Sequence, residues 1–258
     1  MSGLAGYREL LEKEVIEAWR THRLVLTTAL YVALGIASPL IIRYLPEIQG
    51  LFGPVNEELG LGELGLPDAI DLVVRNIVQF GSIAAVLLAM GSVAGERERG
   101  TLATTLSKPV SRTAFLAAKA VSLAMVLGLA TFAGVLATFL YSSLVFEPTD
   151  PVAWAQVALL LLLAVLVPAS ITFLGSVLAG SSLGAAAIGI AGLVVLSLGT
   201  TLPTANPWFT TGIAEIARAV PLEGIGPDLD APRTIWVSGG IVVLSLVLAW
   251  LRFRRADV

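Results

Sequence analysis

The sequence has 258 residues, of which 56% are hydrophobic and only 14% are charged, and its mean hydropathy is +0.88. Soluble domains carry about 25% charged residues, so this composition indicates a chain that lies largely in a membrane. The net charge of −3 argues against a nucleic-acid partner, and the absence of cysteine excludes disulfides and thiolate metal sites.

The first predicted element is an amphipathic helix within residues 1–23. Tyr7, Leu11, Val15 and Ala18 recur at helical spacing on one face, and charged residues of both signs cover the rest. This mixture of charges is unlike a cleavable signal peptide, which needs a short basic start and then an apolar core. We expect the helix to lie along the cytoplasmic membrane interface; the alternative is a solvated segment before the first crossing.

Long uncharged stretches predict the membrane crossings, because a bilayer core about 30 Å thick needs about 20 apolar residues in a helix. The 64 uncharged residues between Asp150 and Glu215 are too many for one crossing, and the small polar residues 180–182 are the expected turn. We therefore expect an all-α, polytopic membrane protein whose residues 1–258 form a single domain with a bundle of six transmembrane helices. The expected crossings lie at about 24–43, 72–95, 114–145, 152–178, 183–203 and 234–251.

The basic residues predict the orientation of this bundle. Twelve of the sixteen lysines and arginines fall in the N-terminal segment, the second loop and the C-terminal tail, whereas twelve of the nineteen acids fall on the opposite side. Because basic loops stay in the cytoplasm, both termini are expected inside, N-in and C-in. On the outer side, Asn206-Pro207 is expected to start a short surface helix.

The second loop, residues 96–113, is the most basic stretch and does not resemble a plain linker. If the second crossing continues past the headgroups, Glu96 and Arg99 lie one turn apart and form an ion pair. Gly100 then interrupts the helix, and Thr101 can cap a new one. We expect a short helical elbow pressed against the inner membrane surface.

The far part of the loop is expected to end this elbow and to start the third crossing. Pro109 stops the short helix, while Arg112 and Lys119 are expected to anchor the next crossing at the interface. Leu102 and Leu106 are expected to be available for a docking contact with another protein. The alternative is a basic loop that only fixes the topology.

The loop resembles the permease subunits of type-2 ABC exporters. Those proteins typically show a stretch rich in Glu or in Glu and Arg, then Gly-Thr-Leu, then Pro-Val-Ser-Arg, and then a Lys that begins the third helix. The tail at residues 252–257 and Glu14 before a Trp/Arg pair also fit this family. The matching loop residues, in the same order, are Glu96, Glu98, Gly100-Thr101-Leu102, Pro109-Val110-Ser111-Arg112 and Lys119.

The resemblance implies a cytoplasmic coupling helix that docks on a separate P-loop ATPase subunit and transmits its closure to the membrane helices. It also implies a second permease copy or paralogue, contact with membrane lipid, and a location in the plasma membrane of a prokaryote. ATP and magnesium would bind the partner, so no cofactor is expected in this chain. The residues to which the resemblance assigns coupling are Glu96, Glu98, Arg99, Gly100, Thr101, Leu102, Leu106, Pro109 and Arg112.

Motifs for other functions are absent from the sequence. No phosphate-binding loop, H-E-x-x-H or G-x-S-x-G motif occurs, so we expect a non-catalytic subunit. No carboxylate or histidine is expected deep in a crossing, which disfavours an ion-coupled carrier. The main alternative to a permease is a membrane scaffold or assembly factor that docks a cytosolic partner through loop 96–113 without transporting anything. The transported substrate does not follow from the sequence.

Overall fold

The computed structural model describes residues 6–50, 64–107, 110–146, 148–198, 211–222, 224 and 230–255. Every regular element within these ranges is helical, which confirms the expected all-α fold. In chain order the elements are α1 (Tyr7–Arg20), α2 (Arg23–Gly50), α3 (Leu66–Asn76), a π-helical turn (Ile77–Gly81), α4 (Ser82–Met90), α5 (Ala94–Glu98), α6 (Thr101–Leu106), α7 (Arg112–Val145), α8 (Pro151–Leu178), α9 (Ser182–Ser197), α10 (Thr211–Ala219) and α11 (Ala231–Arg255).

Five helical segments are long and apolar enough to cross a membrane, so the chain is a polytopic membrane protein. The expected fifth crossing, 183–203, coincides with α9, which is apolar but shorter, and its last part lies outside the described residues. The number six therefore stays a prediction. The five spanning segments are Arg23–Glu47, Leu66–Glu98, Arg112–Val145, Pro151–Leu178 and Ala231–Arg255.

Side-chain contacts bring both chain ends of the bundle to the same side. Leu10 of α1, Leu102 of α6 and Phe253 of α11 belong to one buried cluster, which marks what we call the elbow end of the bundle. At the opposite end, Arg218 of α10 forms an ion pair of 2.7 Å with Asp71 of α3.

The second crossing, expected at about 72–95, lies within one helical segment, Leu66–Glu98, that contains irregular turns. It begins earlier, at Leu66, where the Asp68 carboxylate accepts a hydrogen bond of 2.9 Å from the Gly65 amide. A π-helical turn interrupts it where Gly81 packs so closely on Tyr31 that a Cβ atom there would lie 2.5 Å from the tyrosine hydroxyl. A second break separates α4 from α5, so the crossing consists of four short pieces.

The other helix starts follow ordinary capping chemistry. The Ser111 hydroxyl caps α7 by accepting from the Ala114 amide at 3.0 Å, and Asp150 caps α8 just before Pro151. The expected turn at residues 180–182 is confirmed, since α8 ends at Leu178 and Ser181 caps α9.

The helix α10 packs into the bundle at the end opposite the elbow. Ile213 and Ile216 are fully buried in the main core cluster, together with residues of α3 and α8. The sequence placed a surface helix here, starting at Asn206-Pro207, but that start lies outside the described residues. The buried face of α10 shows that this helix also closes the core at the end opposite the elbow.

Candidate functional site

The loop between the second and third crossings forms a helical elbow, residues 94–111, of which 108 and 109 lie outside the described part. The short helix α5 is followed by Arg99 and by Gly100, whose φ of +69° lies in the left-handed region that favours glycine. The chain then enters α6. The predicted short helix that ends at Leu106 is confirmed, with Thr101 as its first residue rather than its cap.

Glu96 is the most buried charge of the elbow, and its partners are two lysines. Its Oε1 atom accepts from Lys119 Nζ at 2.8 Å and from Lys13 Nζ at 3.1 Å. Glu14 Oε1 accepts from the same two ammonium groups, at 2.9 and 3.2 Å. These four residues form what we call the charge cluster, which joins the elbow to α1 and α7.

The charge cluster corrects two expectations. Glu96 was expected to pair with Arg99, and Lys119 was expected to anchor the third crossing at the interface. Instead the Lys119 side chain is 5% exposed and points to Glu96, which is 4% exposed, so the two charges neutralise each other away from solvent. Arg99 follows the last residue of α5 and is exposed.

The acidic groups of the charge cluster favour the charged form of Lys13, which α1 contributes. Burial disfavours the Lys13 ammonium, but the negative charges of Glu14 and Glu96 outweigh burial and raise the pKa of Lys13. The second carboxylate oxygen of Glu96, Oε2, is buried and has no hydrogen-bond partner among the residues that the structure describes. Glu96 is therefore held through one oxygen only.

Ser176 of α8 holds the start of the elbow. Its hydroxyl oxygen accepts hydrogen bonds from the backbone amides of Val93 and Ala94, at 2.8 and 2.9 Å. Free amides at a helix start need partners, and here a neighbouring helix supplies one for α5 across 83 residues of sequence. The break between α4 and α5 is thus stabilised by a tertiary contact.

The two remaining charges of α5 hold the turn between α8 and α9. Arg97 donates to the Ala179 carbonyl at 2.6 Å, just after the end of α8. Glu98 accepts from the Ser182 amide at 3.0 Å and from the Ser182 hydroxyl at 2.6 Å, so this carboxylate lies at the N-terminus of α9. The elbow is consequently bonded to both helices that follow the third crossing.

Leu102 was expected to be available for docking, but it is buried at 3% exposure. It packs in the cluster at the elbow end, where the rings of Phe115 and Phe253 stack with centroids 5.6 Å apart. The Leu106 side chain and all of Pro109 lie outside the described residues, so their role stays a prediction. Leu102 instead anchors α6 to α1, α7 and α11.

Polar and charged residues predominate among the exposed residues at the start of the elbow that the structure describes. Glu98, Arg99, Gly100 and Thr101 are exposed, and Arg112 is half-buried with its guanidinium donating to the Arg254 carbonyl at 3.3 Å. The predicted site residues therefore divide into an exposed ridge and two buried anchors, Glu96 and Leu102. Their role in coupling stays a prediction.

Sequence reasoning missed three residues of this site. Lys13 was assigned to a solvated helix face, Lys119 to the interface and Ser176 to no role. Each lies far along the chain from its elbow partner, and a single sequence carries no signal for such pairs. The apolar stretch around Lys119 was the one available indication, since a lone lysine inside such a stretch needs a buried partner.

Comparison with known proteins places the chain in a family. Residues 8–258 match the family described as ABC-2 family transporter protein. The chain is also 28% identical over 253 residues to "Uncharacterized transmembrane protein YxlG" of Bacillus subtilis (strain 168), an alignment that covers 96% of this chain and 97% of that protein. The elbow, its buried anchors and the apolar helices around them thus belong to a member of the ABC-2 transporter family, a permease subunit of an ABC transporter.

Proposed function

We propose that this permease works as an exporter in the plasma membrane of a prokaryote, driven by a separate P-loop ATPase subunit that docks on the elbow. Two permease copies, or one copy and a paralogue, would enclose the translocation path. ATP and magnesium would bind the partner. The family membership supports the permease role, and the geometry of the elbow supports the docking site.

The observation that carries this proposal is the way the elbow is bonded to its surroundings. The exposed ridge of Arg99, Gly100 and Thr101 continues directly from α5, whose Glu96 and Glu98 hold α1, α7 and α9. These bonds are directional, and each is accepted by an ionised carboxylate, which makes it stronger than a bond between neutral groups. A force applied to the ridge by a closing ATPase would therefore reach several membrane helices together.

The test is purification of the tagged chain from its native membrane in mild detergent, with identification of the bound proteins and an ATPase assay. We expect a P-loop ATPase to copurify. Gly100→Ala should weaken this association or uncouple hydrolysis from transport, because a Cβ atom at a φ of +69° strains the backbone by about 1–2 kcal/mol.

Gly224→Ala is the matched control. Gly224 has a φ of +77°, and like Gly100 it has no atom within 4 Å of an added Cβ, but it lies between α10 and α11. The same strain is thus introduced away from the elbow, and association should be unchanged. If the intact complex contained no ATPase, the exporter proposal would be wrong and the scaffold alternative would be favoured. If Gly100→Ala coupled normally, the elbow would not be the docking site.

A further inference from the structure

A lateral groove of about 470 Å³ opens beside the elbow, between α2, α4 and the start of α9. Its apolar lining consists of four leucines, Ala84 and Met90, and Leu26 and Leu87 are largely exposed. This volume lies within the range of about 300–1,000 Å³ that is usual for small-ligand sites. We call it the basic groove, because Arg23 and Arg99 line it at the elbow end.

Of the two arginines of the basic groove, Arg99 is attracted to the neighbouring Glu98 carboxylate, but neither forms an ion pair in the described part of the chain. Neither Arg23 nor Arg99 has an acidic group within 4.0 Å in the described part of the chain, whereas Arg8, Arg75 and Arg218 each do. An unpaired guanidinium beside apolar surface favours an anionic ligand, above all a phosphate, which it binds through two parallel N–H groups.

The one acid that lines the groove does not cancel this charge. Both carboxylate oxygens of Glu98 accept hydrogen bonds from Ser182, at the N-terminus of α9. The partial positive charge of that helix end and the Ser182 donors partly offset the carboxylate. The mouth of the groove therefore keeps a net attraction for anions, while its interior is apolar.

We propose that the basic groove binds an acidic phospholipid from the surrounding membrane, with its phosphate between Arg23 and Arg99 and part of an acyl chain along Leu26, Leu30 and Leu87. The charge of the mouth complements the headgroup, and the apolar walls complement the chain. The leucines of the groove belong to two membrane-spanning segments, Arg23–Glu47 and Leu66–Glu98, so its apolar wall is a surface that lipid can contact. Basic pockets between membrane helices are a recurring form of acidic-lipid site.

A lipid bound between the two arginines would also affect how the elbow is attached to the bundle. Arg99 belongs to the exposed ridge, and Arg23 is the first residue of α2. A phosphate held by both would link the ridge to the first crossing. The lipid would thus complete the attachment of the elbow on the side of α2.

The experiment is native mass spectrometry of the whole chain in mild detergent, titrated with phosphatidylglycerol or with phosphatidylcholine of the same acyl chains. We expect preferential binding of phosphatidylglycerol. The double variant Arg23→Gln, Arg99→Gln should weaken it by about tenfold or more, because each lost bond joined two charged groups. Arg8→Gln, which changes an exposed arginine outside the groove, should leave it unchanged.

A second variant tests the apolar wall of the groove. The unfolding temperature of each variant shows whether a loss of lipid binding comes from a loss of folding. Ala84→Phe, which fills the groove with a ring, should also reduce binding of phosphatidylglycerol, and each variant must unfold at the temperature of the parent chain. Equal binding of the two lipids, or unchanged binding by the double arginine variant, would overturn the proposal. These outcomes do not depend on any ATPase, so they test the groove separately from the exporter proposal.

Two further outcomes would identify a different occupant and would likewise overturn the lipid assignment. If glycerol phosphate displaced the lipid at equal concentration, the site would bind a free phosphate compound. Because the chain has no cysteine, Leu87→Cys introduces a single one. Efficient disulfide formation between two such chains, unaffected by phosphatidylglycerol, would show that a second copy covers the groove.

Discussion

The Glu96 carboxylate lies 2.8 Å from the Lys119 ammonium, and neither side chain is more than 5% exposed. Removing one partner of a buried ion pair leaves the other charge uncompensated, which costs about 3–5 kcal/mol. We expect Glu96→Gln to lower the free energy of unfolding by about 3 kcal/mol, the lower end of this range. The reason is that Lys119 keeps its ion pair of 2.9 Å with Glu14. Thermal unfolding of the purified chain in detergent measures this change.

Glu12→Gln is the control for that variant. Glu12 pairs with Arg8 on the exposed face of α1, and exposed pairs contribute about 1 kcal/mol or less. Its unfolding temperature should stay close to that of the parent chain. Equal effects of the two substitutions would show that the charge cluster is not buried as described.

A second prediction concerns the joint replacement of Glu96 and Lys119 by leucine. When both charges of a buried pair become apolar, the desolvation penalty disappears together with the attraction, so the net effect is often close to neutral. The double variant should therefore be more stable than the single variant Glu96→Leu, which leaves Lys119 with an excess positive charge. A double-mutant cycle of unfolding free energies measures the coupling, and purely additive effects would contradict it.

A third prediction concerns the break between α4 and α5. Ser176→Ala removes the acceptor of the Val93 and Ala94 amides and should cost about 1–3 kcal/mol, because two buried donors lose their partner. Ser170→Ala in the same helix is the matched control, since the Ser170 hydroxyl donates only to the Val167 carbonyl within α8. If both variants unfolded alike, the tertiary cap would have no energetic role.

A fourth prediction concerns the N-terminus of α9. Glu98 is exposed, so Glu98→Ala should leave global stability nearly unchanged while it frees the Ser182 amide and hydroxyl. We expect faster hydrogen exchange of the amides at the start of α9 and no change in α8. Glu12→Ala removes an exposed glutamate from α1 and should not alter exchange in α9. Unchanged exchange in the Glu98 variant would mean that the bonds between Glu98 and Ser182 do not stabilise the start of α9.

The ends of the long helices could be predicted from the sequence because the physics that sets them is local. Charged residues cannot remain in the bilayer core, so the ends of α7, α8 and α11 lie within a few residues of the expected ones. The turn at Gly180-Ser181-Ser182 follows from the same reasoning, as small polar residues interrupt an otherwise apolar stretch.

The interior of the site could not be predicted in this way, because its contacts join distant parts of the chain. Lys119 lies 23 residues from Glu96 and 105 from Glu14, and only the packing of α1 on α7 brings these charges together. The π-helical turn depends likewise on the close approach of Gly81 to Tyr31 of another helix. Local pattern placed the elbow correctly, whereas tertiary packing decided which of its residues are buried.

The last prediction concerns the C-terminal end of α11, which the sequence treated as a basic tail. Phe253 is 1% exposed, and its ring stacks on Phe115 within the cluster that also holds Leu102. Phe253→Ala should cost about 3–5 kcal/mol through the cavity that it leaves. Trp236→Ala is the control, because that tryptophan of the same helix is 80% exposed and fills no core space.

The Phe253 variant also shows whether this cluster holds the elbow in position or stabilises the bundle as a whole. Because Leu102 packs in the same cluster, the cavity should loosen α6 as well as the third crossing, and amides of α6 should exchange faster than those of α10 at the opposite end. Uniformly faster exchange would instead mean that the cluster stabilises the bundle as a whole. Faster exchange confined to the elbow end would establish that α11 holds the elbow in position, so that the tail contributes packing as well as charge.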